Sequence, residues 1–198
     1  MSEYARRPTA IGIAVVANLL IALAFLTIPL LGLVYGDDVQ TAAEQEVVAQ
    51  GLPVSVLADN DLSFRESGVA IVFPVVIALG IALLGWWLRT GRPAARIVSL
   101  IVMPVVILGN VAILMSNASA VSALQTMFDR SNDADLRRLD AQALFDAALG
   151  AYPDWLPVLT AIRNTLVFGC AVLVIVLLLA PSARAYFRSA KQPATTPA

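Results

Sequence analysis

Four long apolar runs, at residues 10–35, 69–88, 97–115 and 156–180, alternate with polar stretches along this chain. None of the runs contains an acid, and one basic residue, Arg163, falls within the last of them. An α-helix rises about 1.5 Å per residue and the hydrocarbon layer of a bilayer is about 30 Å thick, so about 20 apolar residues cross it. The pattern predicts an all-α integral membrane protein, a four-transmembrane-helix bundle. The polar connectors at residues 36–68 and 116–155 are expected to be extracytoplasmic loops that together form a small helical cap. The first run is longer than a signal-peptide core and ends in Leu33-Val34-Tyr35-Gly36, a poor cleavage sequence, so it reads as a retained span.

Local signals divide the connectors further. Thr41-Ala42-Ala43-Glu44 fits a capping box, which predicts a short helix over 42–50 stopped by Gly51. An extended piece over 52–57 and a turn at Asp59-Asn60-Asp61 are expected to follow. In the second connector, Asn117 is placed to cap a helix over 118–128. Ser131 or Asp133 is placed to cap another, running through Leu149 and closed by Gly150, which makes a helical hairpin. Leu136, Leu139, Ala143 and Ala147 recur at helical spacing as its buried face. Pro29, Pro74 and Pro104 are expected to kink three of the four spans.

Charge orients these elements. The turn at residues 89–96 holds Arg89, Arg92 and Arg96 and no acid. With the tails at 1–9 and 181–198, the latter carrying Arg184, Arg188 and Lys191, that side has eight basic residues against one acid. The connectors and the adjoining start of the fourth run have five basic residues against thirteen acids. Basic residues flanking spans are retained in the cytoplasm, so both termini and the short turn are predicted inside. One lysine among thirteen basic residues, with abundant alanine, suggests a bacterial chain and hence a plasma (inner) membrane. Overall composition agrees: 59% hydrophobic and 14% charged residues with a mean hydropathy of +0.81, against about 45–50% and 25% in soluble chains.

Candidate chemistry is sparse. The chain has no histidine, and Cys170 is its one cysteine, so a histidine-activated nucleophile and an internal disulfide are excluded. No phosphate-binding loop, nucleophile elbow or zinc-protease motif occurs. No catalytic residue, cofactor or metal is expected, and the acid pairs Asp37-Asp38, Glu44/Glu46 and Asp59/Asp61 read as solvated surface. Asn117-Ala118-Ser119 matches a glycosylation site, but its place beside a span in a bacterial-looking chain argues against use.

The intramembrane polar residues are the candidate sites. Asn18 and Asn110 are expected as helix–helix contacts, since an amide is costly in lipid without a partner. Arg163 is expected to snorkel to the outer interface, where an anion or lipid headgroup is its candidate contact. Small residues at Ala78, Ala82 and Gly85, and at Gly32 and Gly36, mark faces for close helix approach. Expected partners are the bilayer and other membrane proteins or a second copy, with no nucleic acid. The functional expectation is a non-catalytic accessory or assembly subunit of a larger membrane or cell-envelope complex, acting through acidic outer loops. The alternative is an oligomeric transporter or channel for a small solute or lipid, lined by Asn18 and Asn110.

Overall fold

The computed structural model describes residues 8–65 and 68–189, so Arg6, Arg7 and Lys191 lie outside the described residues. The described chain is all-helical: α1 Thr9–Ala49, α2 Ser55–Asp59, α3 Val69–Leu88, α4 Pro93–Asp129, a 3-10 turn Leu136–Arg138, α5 Ala141–Gly150, α6 Leu156–Leu179 and α7 Pro181–Ser189. α1, α3, α4 and α6 are each long and apolar enough to cross a membrane. Pro29, Pro74 and Pro104 lie inside α1, α3 and α4.

α1 does not stop where its apolar run ends. Its 41 residues make about 60 Å of helix, twice the hydrocarbon thickness. The separate helix expected over 42–50 is therefore the last part of α1. Extending an existing helix adds one hydrogen bond per residue, whereas a new one needs a costly nucleus. Thr41 caps nothing; its hydroxyl donates to the Asp37 carbonyl one turn earlier, at 2.8 Å. α4 behaves alike, running 37 residues through Asn117, and the hydroxyls of Ser119, Ser122 and Thr126 fold back onto its own carbonyls.

The chain divides into two compact units. The first takes residues through Leu26, then Phe73–Val111 and the chain from Ala161. Its core gathers Ile11, Ile21 and Phe25 of α1 with Leu88 of α3, Met103 of α4 and Leu178 of α6. Along the part of α4 in this unit the buried positions are Ala95, Ser99, Met103, Val106 and Asn110, a narrow seam at three- and four-residue spacing. α3 meets α1 at Gly85, where a Cβ would come within 2.9 Å of the Asn18 Cβ. The small-residue face expected on α3 is thus used, with Ala78 and Gly85 buried and Ala82 partly buried.

α7 was not foreseen in the basic tail. Ala183 and Phe187 enter the core of the first unit, while Arg184 and Arg188 stay exposed. The Tyr186 hydroxyl donates to the Arg89 carbonyl at 3.1 Å, and its ring closes over Gly91, whose φ is +71°. The two-residue-in-four spacing that buries α7 was legible, but so short a stretch beside a proline reads equally well as a tail.

The second unit comprises Thr27–Val72 and Ala112–Thr160. Its core is Ala43, Val47, Leu52, Val56, Leu57, Phe128, Leu136, Leu139, Ala141 and Leu144. α1 ends in a Schellman motif: Leu52 N–H donates to the Val47 carbonyl and Gly51 N–H to that of Val48, with Gly51 at φ +76°. Of the expected extended piece over 52–57, residues 55–57 are instead the start of α2, which buries Val56 and Leu57. The expected second helix of a hairpin is two elements, the 3-10 turn and α5. Asp133 bonds the amides of Asp135 and Leu136, and Asp140 caps α5 through the amides of Gln142 and Ala143. The buried face of α5 is accordingly Ala141, Leu144 and Ala148, not Ala143 and Ala147.

Three glutamines tie this unit together in one manner. Gln40, Gln50 and Gln125 each donate their amide to an acid of their own helix, Glu44, Glu46 and Asp129. Each side-chain carbonyl then accepts a loop amide, from Phe64, Asp140 and Ala141 respectively, at 2.8–2.9 Å. The acid fixes which way each amide faces, so the loops are clamped by oriented acceptors.

Two expectations follow. Gly85→Val should separate α1 from α3 and cost about 1–3 kcal/mol, whereas Gly80→Ala, which meets nothing within 4 Å, should leave the melting temperature in detergent unchanged. Gln125→Leu strands the buried Ala141 amide and should cost about 1–3 kcal/mol, read as earlier proteolysis of the second unit under a denaturant series.

Candidate functional site

The candidate polar residues of the apolar helices all belong to the first unit, and the structure joins two of the three. Asn18 is fully buried and donates Nδ2 to the Ala14 carbonyl of its own helix at 2.7 Å. It contacts α3 through its Cβ at Gly85, so it packs between helices without bonding across them. Asn110, also buried, reaches across from α4 to the Asn164 carbonyl of α6, at a long 3.5 Å. The side-chain oxygens of both asparagines are buried with no hydrogen-bond partner.

Arg163 sits beside that second contact. Its Nε donates to the Ala24 carbonyl of α1 at 3.0 Å, and Nη1 donates to the Asn164 side-chain oxygen at 3.2 Å. The guanidinium carbon lies 5.9 Å from the centre of the Phe25 ring. The arginine is therefore drawn sideways onto α1 instead of extending along its own helix. Pro29 has no amide for the Phe25 carbonyl four residues back, so α1 is locally short of donors just where Arg163 approaches. The result is a polar chain from α4 through α6 to α1: Asn110, Asn164, Arg163 and Ala24.

The basic end of the first unit is a packing centre as well as a charge cluster. Arg96 donates Nε to the Leu178 carbonyl at 2.9 Å, meeting an orphan acceptor at the end of α6. Arg89 lies 5.0 Å from the centre of the Trp86 ring. Arg92, Arg184 and Arg188 are exposed. An apolar groove of about 610 Å³ runs along the start of α1, past Ile11, Gly12, Val15 and Leu19, and ends at Arg89.

In the second unit, Asn60 donates to the Val56 carbonyl and to the Asp133 carboxylate, at 2.9 and 3.0 Å. That bond, then the Asp135 and Leu136 amides and the nearby Arg137, hold Asp133 below its ordinary 3.8. A depression of about 540 Å³ beside it is lined by Asn60, Thr126, Met127, Arg130, Ser131 and Leu136. The helix-surface pair Asp135–Arg138 forms at 3.5 Å, while Arg137 turns to the Ser131 carbonyl and Arg65 pairs with Asp37 at 2.8 Å. Among the described residues no three Cys, Asp or Glu side chains converge as a metal would require.

Compared with protein families, with curated proteins and with solved structures, the chain matches none.

Asp133 predicts an acid dependence. A carboxylate with a lowered folded pKa contributes stability that is complete above 3.8 and is lost as pH falls through the lowered value. Melting curves of the second unit between pH 3 and 7 should fall at the acid end, and Asp133→Asn should flatten that fall. Asn18 predicts the opposite of a structural loss. Its oxygen is stranded at a cost of about 1–3 kcal/mol, so Asn18→Leu should leave melting temperature unchanged or raised.

Proposed function

We propose that this chain is a non-catalytic multi-pass membrane protein, an accessory or assembly subunit of a larger membrane or cell-envelope complex. It lies in a bacterial plasma membrane with both termini cytoplasmic and its acidic second unit outside. The observation that carries this reading is the second unit itself. Two stretches of chain are spent on a module with its own core, a Schellman stop, capped helices and three glutamine clamps. Its exterior is acidic, with Asp38, Asp59 and Asp154 exposed. A fixed, charged surface suits recognition of another protein, since charge complementarity sets partner choice and orientation. The basic residues of the tails and the short turn support this orientation, because positive charge beside spans is usually retained in the cytoplasm.

Two measurements test the proposal. In a Cys170→Ser background, single cysteines at Thr90 and at Asp59 should label from opposite sides of sealed vesicles. Isolation from native membranes in nanodiscs should return a stoichiometric heterologous complex, weakened when Asp38, Asp59 and Asp154 are changed together to asparagine. Recovery of the chain alone, with solute flux in reconstituted vesicles, would overturn the accessory reading in favour of transport.

A further inference from the structure

Among the described residues, no acid neutralises the charge of Arg163. Its two hydrogen bonds go to neutral acceptors, and among the described residues it forms no ion pair. A guanidinium has five N–H donors; Nε and one Nη1 hydrogen are used, which leaves three. The end-on fork, the edge that takes a carboxylate with two parallel bonds, has one hydrogen from each Nη; among the described residues its Nη2 half is unused, and the other Nη2 hydrogen lies on the Nε side. The residue is only partly buried, and its neighbours Val158 and Ile162 are exposed on α6 at 62% and 57%. Part of the Arg163 side chain therefore remains accessible.

Depth decides what reaches it. Along α6, Arg163 is fifteen residues from Leu178, whose carbonyl is level with Arg96; that is about 22 Å of rise. Along α1, Ala24 is six residues from Asn18, itself level with Gly85 and four residues from Arg89; that path gives about 15 Å. Both place the guanidinium about 8–15 Å short of the far side of a hydrocarbon layer about 30 Å thick. Because its Nε is held by α1, it does not extend toward headgroups. A charge at that depth is unfavourable, and intramembrane arginines pair with acids or with backbone carbonyls; Arg163 has a carbonyl at Nε and no acid among the described residues.

We infer that Arg163 is the docking cation for an aspartate or glutamate on a transmembrane helix of a different protein. A second copy of this chain has no acid at that depth, because its four apolar runs hold none; the nearest acids along α1 and before α6 are Asp37, thirteen residues beyond Ala24, and Asp154, nine residues before Arg163. A phosphodiester headgroup has the right charge but lies above the level at which α1 holds the fork. Asn164 and Asn110 are positioning residues: the first orients Nη1, and the second holds the Asn164 backbone. The inference rests on the accessory reading and names the partner's chemistry inside the membrane.

The test is photo-crosslinking of the full chain in native membranes, with benzoylphenylalanine at Ile162 or Leu166 and the adducts mapped by mass spectrometry. The expected adduct is an apolar segment of another protein that contains an Asp or Glu. Arg163→Leu should lower its yield by on the order of a hundredfold, the effect of leaving one member of a buried pair alone, and Arg163→Lys should restore part of it. Arg163→Gln, which retains a donor for Ala24, covers a failure of the leucine variant to fold. Changing the mapped acid to arginine together with Arg163→Asp should recover the adduct. Adducts confined to phospholipid, or to this chain, or unchanged in Arg163→Leu, overturn the inference. If they do so while the complex survives through the acidic surface, the accessory reading stands; if no complex is recovered, both fall.

Discussion

In an apolar solvent a backbone carbonyl or an arginine has no water to fall back on, and the interior of the first unit is arranged around that constraint. Asn18 and Ser99 turn their donors onto carbonyls four residues earlier in their own helices. Arg96 meets a carbonyl at the end of α6, and Arg163 meets one beside the proline-weakened stretch of α1. Polar side chains thus serve helices first and connections between helices second. What is left over is an asparagine oxygen buried without a partner at Asn18 and Asn110, and three guanidinium hydrogens at Arg163.

The second unit faces a different problem. Its core is small, so it depends on inherited order: α1 and α4 arrive already helical and lend Val47 and Phe128 to a core that short helices alone would not nucleate. The glutamine clamps then fix loops that carry little apolar surface of their own. An oriented amide does so because its other end is tied to an acid one turn away. The acids of this unit are therefore of two kinds. Glu44, Glu46, Asp129, Asp133 and Asp140 build the fold, whereas Asp38, Asp59 and Asp154 are exposed at its surface.

The number of apolar helices and the limits of α3 and α6 were legible because apolar length against hydrocarbon thickness is a one-dimensional property. The Gly51 stop, the turn at Asp59-Asn60-Asp61 and the α3 small-residue face were legible for a similar reason, since each depends on residues within a turn or two. Helix continuity past residues 36 and 117 was not. Good capping sequences occur there, but a cap acts only where a helix begins, and these helices had already begun. Likewise the roles of Gln40, Gln50 and Gln125 require loops that are remote in sequence.

From sequence alone come four membrane-length helices, the contrast between a basic and an acidic side, and the rarity of Asn18, Asn110 and Arg163 within apolar runs. Only the tertiary structure decided that Asn18 bonds its own helix, that Asn110 and Arg163 join one polar chain, and that Arg163 turns toward Ala24. The physical reason is that hydropathy and charge belong to each residue wherever it sits. A hydrogen-bond partner is a matter of distance and direction, and these are set only when helices far apart in the chain are packed side by side.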